Sequence, residues 1–151
     1  MVFTFNGIPD LTSKRALLIS GTYGLNMATS IELARQNAHV FLTVHTDASG
    51  TAAVQHIQDE TSNLKVKYLL QDLSSLKSVY NASQAVLAHR RPLHELLEGQ
   101  FGVIVGVGVK AYRQAKPASY LVSRVYNHQA GESRALYANS NSPGFIANQA
   151  E

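Results

Sequence analysis

Three short apolar runs, each followed by a stretch of helical period, fill roughly the first ninety residues and leave few folds open. Arg15-Ala-Leu-Leu-Ile-Ser20 ends at Gly21, the pattern of a buried strand entering a turn. From Leu25 to Gln36 the period becomes helical, with Leu25, Ala28, Ile31 and Ala34 on one stripe. Val40–Val44 is a second strand, and Asp47-Ala-Ser-Gly50 resembles a loop and helix start. Ala53, Val54 and Ile57 continue as a weakly amphipathic helix to about Glu60. Leu64, Val66, Tyr68 and Leu70 alternate as a strand does, and Asp72–Ser75 offers helix-capping side chains. Leu76, Val79, Tyr80, Val86 and Leu87 then sit at helical spacing, with the small Ser83 between them.

Strand and helix alternating in this way predict βαβ units, a mostly parallel sheet and helices on both faces. The expected class is therefore α/β, a Rossmann-like three-layer (αβα) fold in a single domain spanning residues 1–151. Beyond the first ninety residues the pattern weakens. Gly102–Val109 is the most apolar stretch and reads as a central strand, with Leu96-Leu97-Glu98-Gly99 as its lead-in. Residues 111–117 read as loop, 118–130 as helix, and 136–142 as a poor strand because so many of its side chains are polar.

Composition narrows the chemistry. With no Cys, disulfide scaffolds and Cys-type zinc sites are excluded. The six His residues form no i, i+4 metal pair, and no His-Glu-x-x-His helix, G-x-S-x-G elbow or G-K-[ST] P-loop is present. The net charge of +3 comes from 13 basic and 10 acidic residues that are scattered, apart from Arg90-Arg91 and the Arg113, Lys116, Arg124 group. That is unlike a nucleic-acid binder, and it suits an anionic small molecule as well as it suits plain solvation. The first ten residues carry no signal-peptide pattern and no apolar run approaches the length of a membrane span, so a cytoplasmic location is expected.

Ser20-Gly-Thr-Tyr-Gly24-Leu-Asn-Met-Ala-Thr29 lies between the first strand and the first helix. There a Gly-rich turn lets backbone approach a pyrophosphate and points helix N–H groups at it. The bland alternative is a tight turn that binds nothing. The segment resembles the loop of the short-chain dehydrogenase/reductase family, T-G-x-x-x-G-x-G followed by x-A-T. Ser20-Gly21, Gly24-Leu25 and Ala28-Thr29 match; the loop is one residue short, and Asn26 stands where the last Gly is expected. Gln71-Asp72-Leu73-Ser74-Ser75-Leu76, with Ser78-Val79 beyond, is similar to the family's D-L-S-S-L-x-S-V element.

The resemblance implies a nicotinamide dinucleotide held by Gly21, Tyr23, Gly24, Leu25, Asn26, His45, Asp72 and Leu73, with Asp72 on the adenine. Asp72 is equally a helix N-terminal charge, favourable by about 0.5 kcal/mol. No acid ends the second strand; His45 stands there, with Lys14 and Arg15 before the first, which leans to NADP, with NAD also open. An exposed His with no such role is the alternative.

Ser119-Tyr120-Leu-Val-Ser-Arg124 resembles the family's Y-x-x-x-K element with Arg for Lys, against the alternative of an ordinary surface helix. The resemblance implies Tyr120 as proton donor to a small carbonyl substrate and Arg124 as its modulator. Arg is no equivalent for Lys, since its planar head is bulkier than an ammonium. The family's upstream Ser is missing, with Val107, Gly108 and Val109 in that region. By analogy with losing one oxyanion donor, that costs about 10²–10³ in rate. Ser142-Pro143-Gly144 resembles the motif that closes over the nicotinamide, or is an ordinary Pro-Gly turn; Asn139 fits an Asn before it and Asn148 replaces a Thr.

Measured against the family, residues 1–90 are a nearly complete nucleotide-binding half and 100–151 a shortened catalytic half, so the chain reads as a truncated, degenerate member. An inner strand is expected to be missing, leaving a gap or forcing re-pairing, and exposed sheet edges make a homo-oligomer possible. An impaired NAD(P)-dependent oxidoreductase is expected, or else a nucleotide-binding pseudoenzyme or defunct fragment.

Overall fold

A computed structural model describes residues 7–88, 93–99 and 137–141. The chain runs β1 (Arg15–Ile19), α1 (Gly24–Arg35), β2 (His39–Val44), α2 (Asp47–Thr61), β3 (Val66–Leu70), α3 (Leu76–Ala88), β4 (Glu95–Gly99) and β5 (Tyr137–Asn141). The five strands form one sheet in the order β3-β2-β1-β4-β5, parallel throughout. A parallel strand inside such a sheet is covered on both faces, which is why β1 carries an unbroken Ala-Leu-Leu-Ile run and every residue of it is buried.

The two faces use alternate side chains. Ala16 and Leu18 of β1 pack with Val40, Leu42 and Val44 of β2 against α1 and α2, through Ala34, Ala53 and Ile57. Leu17, Ile19 and Phe41 turn the other way, onto Val79 and Val86 of α3 and Leu96 of β4. The three-layer arrangement expected from the alternation is thus present. Even the first strand's charge is absorbed. Arg15, 4% exposed, stacks over the Phe41 ring at 4.9 Å and donates from Nη2 to the Val86 carbonyl at 3.3 Å.

Several expectations need correction. Leu96–Gly99 is no lead-in but most of β4 itself, in register with β1 (Leu18 opposite Leu97), so the sheet has no gap beside its first strand. Residues 137–141 form β5 despite their polar side chains, because the backbone ladder to β4 is indifferent to them. The predicted strand 102–109, loop 111–117 and helix 118–130 lie outside the described residues. Asp47–Gly50 is already helical, since Thr46 caps α2 by accepting from the Ser49 N–H. Leu64 precedes β3 and is 78% exposed. On α3, Leu76 and Tyr80 face solvent while Val79, Ser83 and Val86 are buried.

The buried side of α1 is not the apolar stripe. It consists of Asn26, Ser30 and Ala34, whereas Leu25 and Ala28 are exposed. Two polar residues can hold that face because each finds a backbone partner: Ser30 Oγ donates to the Asn26 carbonyl at 2.7 Å, and Asn26 bonds β1 as described below. Among the described residues no helix is long and apolar enough to cross a membrane.

Candidate functional site

In an open parallel sheet, ligands sit beyond the carboxyl ends of the strands. Three segments meet there: Ser20–Tyr23 after β1, His45 after β2, and Gln71–Leu73 after β3.

The turn after β1 is stitched to β2. Ser20, at φ 60°, donates its N–H to Thr43 Oγ1 at 3.1 Å, and the Gly21 N–H reaches the Thr43 carbonyl at 3.4 Å. Gly21 is a packing requirement, because a Cβ there would lie 2.6 Å from Leu42 Cδ2. Gly24 opens α1 at φ 58°, a left-handed value that glycine adopts freely. Tyr23 stands at the cap position with extended backbone and no side-chain bond to the helix, and the first turn contains no acid. The positive end of the α1 dipole is therefore not answered by a side chain of its own, the condition under which a helix start holds an anion.

Asn26 solves its substitution for glycine by turning inward. Its Nδ2 donates to the Ile19 carbonyl at 2.9 Å and to the Ser20 carbonyl at 3.3 Å, and the residue is 9% exposed. The shortened loop is thereby pinned to the strand it leaves. Tyr23 and Leu25 flank it with large exposed side chains, 72% and 48% exposed.

Asp72 closes the other side. Its Oδ1 accepts from Ser74 Oγ at 2.6 Å and from the Ser74 N–H at 2.8 Å, while its own N–H donates to Ser78 Oγ at 2.9 Å. The Ser74 hydroxyl first, then the Ser74 amide, and also the charge of His45 hold its carboxyl below the ordinary carboxylate value. The exposed His45 and the anionic Asp72 thus face the same edge, as expected for two residues following adjacent strands. Leu73 is half-buried against the α3 core. Gln71 was not singled out as a ligand: it is 5% exposed, yet neither side-chain amide atom has a hydrogen-bond partner. Thr43 was missed altogether, since a Thr inside an apolar strand carries no visible sign of stitching.

Gly21, Tyr23, Gly24, Leu25, Asn26, His45, Asp72 and Leu73 are thus gathered at one edge. Asn139 lies in β5, in register with Leu97. Tyr120, Arg124, Pro143, Gly144 and Asn148 lie outside the described residues. Among the described residues no group of three or more His, Asp or Glu is placed to hold a metal.

No family model matches the chain. It is 37% identical over 95 residues to an uncharacterized oxidoreductase of Schizosaccharomyces pombe, covering 63% of this chain and 28% of that protein. It is 34% identical over 95 residues to a polyprenol dehydrogenase of Danio rerio, covering 63% and 29%. Dehydrogenase/reductase SDR family member 13 of Homo sapiens is 29% identical over 122 residues, covering 81% and 30%. The chain therefore spans less than a third of these relatives' length. Among solved structures, the citronellol catabolism dehydrogenase of Pseudomonas aeruginosa superposes with TM-score 0.67 at 20% identity, over 82% of this chain and 53% of that one. Actinorhodin polyketide ketoreductase with NADPH gives 0.62 at 12% identity over 82% and 48%. An NADH-dependent reductase complexed with NAD gives 0.61 at 21% over 84% and 53%.

Proposed function

We propose that the chain, with relatives among the short-chain dehydrogenase/reductases and their fold in its described residues, belongs to that family, binds a nicotinamide dinucleotide and serves an oxidoreductase acting on a small carbonyl or alcohol. One observation carries the reading: the unanswered start of α1 and the ionised Asp72 stand at the same sheet edge, each suited to one end of an ADP moiety.

The residues fit that group. The N–H groups at the start of α1 would hold the pyrophosphate, with Gly21 keeping the turn close to the sheet. Asp72, kept anionic by Ser74, would accept from the adenine amino group. His45 favours NADP over NAD, because a cationic or donor group suits a 2′-phosphate where an acid would repel it. When bound, the nicotinamide supplies the hydride equivalent of a carbonyl reduction. Tyr120 would hold the proton for the carbonyl oxygen, and Arg124, four residues on, would stabilise its phenolate. The absent Ser and the Arg in place of Lys make turnover slow on this reading. Residues 1–90 serve as the nucleotide-binding half and 100–151 as a shortened catalytic half of one domain.

Thermal unfolding with and without millimolar NADPH or NADH tests the binding. Ligand at 100 times its Kd adds about 2.7 kcal/mol, and a larger shift with NADPH is expected. A cooperative melt moved by neither dinucleotide would refute the reading. A second reading, a nucleotide-binding module without turnover, is favoured by Asn26, whose side chain occupies the ground of a glycine. Tyr120→Phe separates the two: loss of NADPH oxidation with binding retained supports catalysis. Absence of any turnover in the unaltered chain that binds NADPH supports the module.

A further inference from the structure

At the opposite end of the sheet, between the amino ends of β1 and β4 and the last turns of α1, lies a cavity of about 390 Å³. That is within the range of small-molecule sites, which run from about 300 to 1,000 Å³. Its floor is Ala16 of β1 and Leu97 of β4, and its walls are Leu33 of α1 and Leu11 of the segment before β1. Leu11, Leu33 and Leu97 are only partly buried, so the apolar lining is open to solvent on one side.

The mouth is polar and balanced in charge. Lys14, His94 and Glu95 line it. Glu95 stands in register with Ala16, which turns its side chain to the α1 face, while Leu96 beside it packs towards α3. Lys14 and Glu95 offset one another. The Arg15 guanidinium adds nothing here, because it lies on the other face over Phe41 and at the Val86 carbonyl. His94 contributes a donor: the Arg15 N–H donates to its Nδ1 at 3.1 Å, so the neutral ring carries its proton on Nε2. Among the described residues neither that Nε2 nor the Glu95 carboxylate has a hydrogen-bond partner.

The apolar floor thus ends at one free ring N–H, one free carboxylate and no net charge. A ligand carboxylate would accept from His94 but be repelled by Glu95. An ammonium would reach Glu95 but be repelled by Lys14, and it has no lone pair for Nε2–H. A hydroxyl answers both groups at once, accepting from the ring and donating to the carboxylate.

We propose that this cavity binds a neutral aliphatic alcohol, with its chain between Leu11 and Leu33 and its hydroxyl between His94 Nε2 and the Glu95 carboxylate. The site is separate from the carboxyl edge where the dinucleotide is proposed, and it does not depend on that reading.

Calorimetric titration of n-octanol into the full chain tests it. Heptyl methyl ether, an isomer that accepts but cannot donate, and octanoate, with its charged head, serve as comparison probes. Saturable binding of one octanol per chain is expected, about tenfold tighter than the ether, the worth of one hydrogen bond to a charged group. Octanoate should bind more weakly than octanol. Glu95→Ala should bring octanol down to the affinity of the ether and, with Lys14 then unopposed, strengthen octanoate. Leu33→Trp, which fills the cavity, should abolish octanol binding, with circular dichroism confirming that both variants fold. No saturable binding, an ether as tight as the alcohol, or a preference for octanol that survives Glu95→Ala would overturn the proposal. So would octanol binding that appears only with NADPH and is untouched by Leu33→Trp, which would put the alcohol at the carboxyl edge. A dimer that buries the cavity and excludes octanol would overturn it as well.

Discussion

Asn26 Nδ2 lies 2.9 Å from the Ile19 carbonyl, so a side chain in the first turn of α1 terminates the backbone of the strand that precedes it. Asn26→Leu removes that donor and leaves two carbonyls at a buried junction without it. A loss of about 1–3 kcal/mol is expected, read from the urea midpoint. Asn26→Gly should lose stability too, yet leave dinucleotide affinity equal or higher, because glycine frees the ground beside the pyrophosphate. A weaker NADPH shift in Asn26→Gly at constant fold would mean that Asn26 itself holds the ligand.

Gly50 is helical, and a helical glycine replaced by alanine ordinarily gains about 1 kcal/mol. Here a Cβ would stand 2.5 Å from Tyr68 Cδ2 and 2.6 Å from Cγ, so the whole ring must move. That ring is held by its hydroxyl, which donates to Asp47 Oδ1 at 2.9 Å. Gly50→Ala is therefore expected to destabilise by about 1–3 kcal/mol. A thermal melt at or above that of the unaltered chain would contradict this.

Gln71 presents a buried carboxamide with no partner. Gln71→Leu removes the unmet donor and acceptor at nearly constant volume, and a gain of about 1–3 kcal/mol is expected by chemical denaturation. If Gln71→Leu is less stable, the amide is being used.

His94 titrates with the fold. Burial first, then the charges of Lys14 and Arg15, lower its pKa below 6.5. The folded chain thus takes up its proton less readily than the unfolded chain, and stability rises with pH across the window below 6.5. The contribution is complete above that value and is lost as pH falls through it towards the lowered pKa. His94→Gln should flatten this slope between pH 7 and pH 5. An unchanged slope would assign it to other groups.

Asp72→Asn keeps the shape of the turn and removes its charge. The Ser74 N–H loses an anionic acceptor at an exposed site, so the melting temperature should move little. NADPH affinity should fall about tenfold, the equivalent of roughly 1.4 kcal/mol. An undiminished ligand-induced shift would remove Asp72 from the site.

The strands of residues 15–70 are readable in the sequence because they are short apolar runs; β1, β2 and β3 lie within two residues of their expected places. The failures have physical causes. The buried face of α1 is hidden because Asn26 and Ser30 are polar residues satisfied by backbone, and only coordinates show those partners. Glu95–Gly99 reads as a lead-in and not as a strand because Glu95 and Glu98 disguise a run of five residues. β5 was undervalued because polar side chains say nothing of the ladder beside them. At the site, Asp72 was legible from a local pattern, whereas the stitching by Thr43 joins residues 23 apart and leaves no local trace.

The central place of β1 has a consequence for synthesis. Its neighbours are β2, which follows at once, and β4, whose His94 lead-in stands 79 residues beyond the Arg15 it bonds. At about 5–20 residues per second, roughly 4–16 seconds pass before the ribosome delivers the second partner. Through that interval the nascent chain displays one flank of an Ala-Leu-Leu-Ile strand, a surface that chaperones recognise and that aggregation exploits.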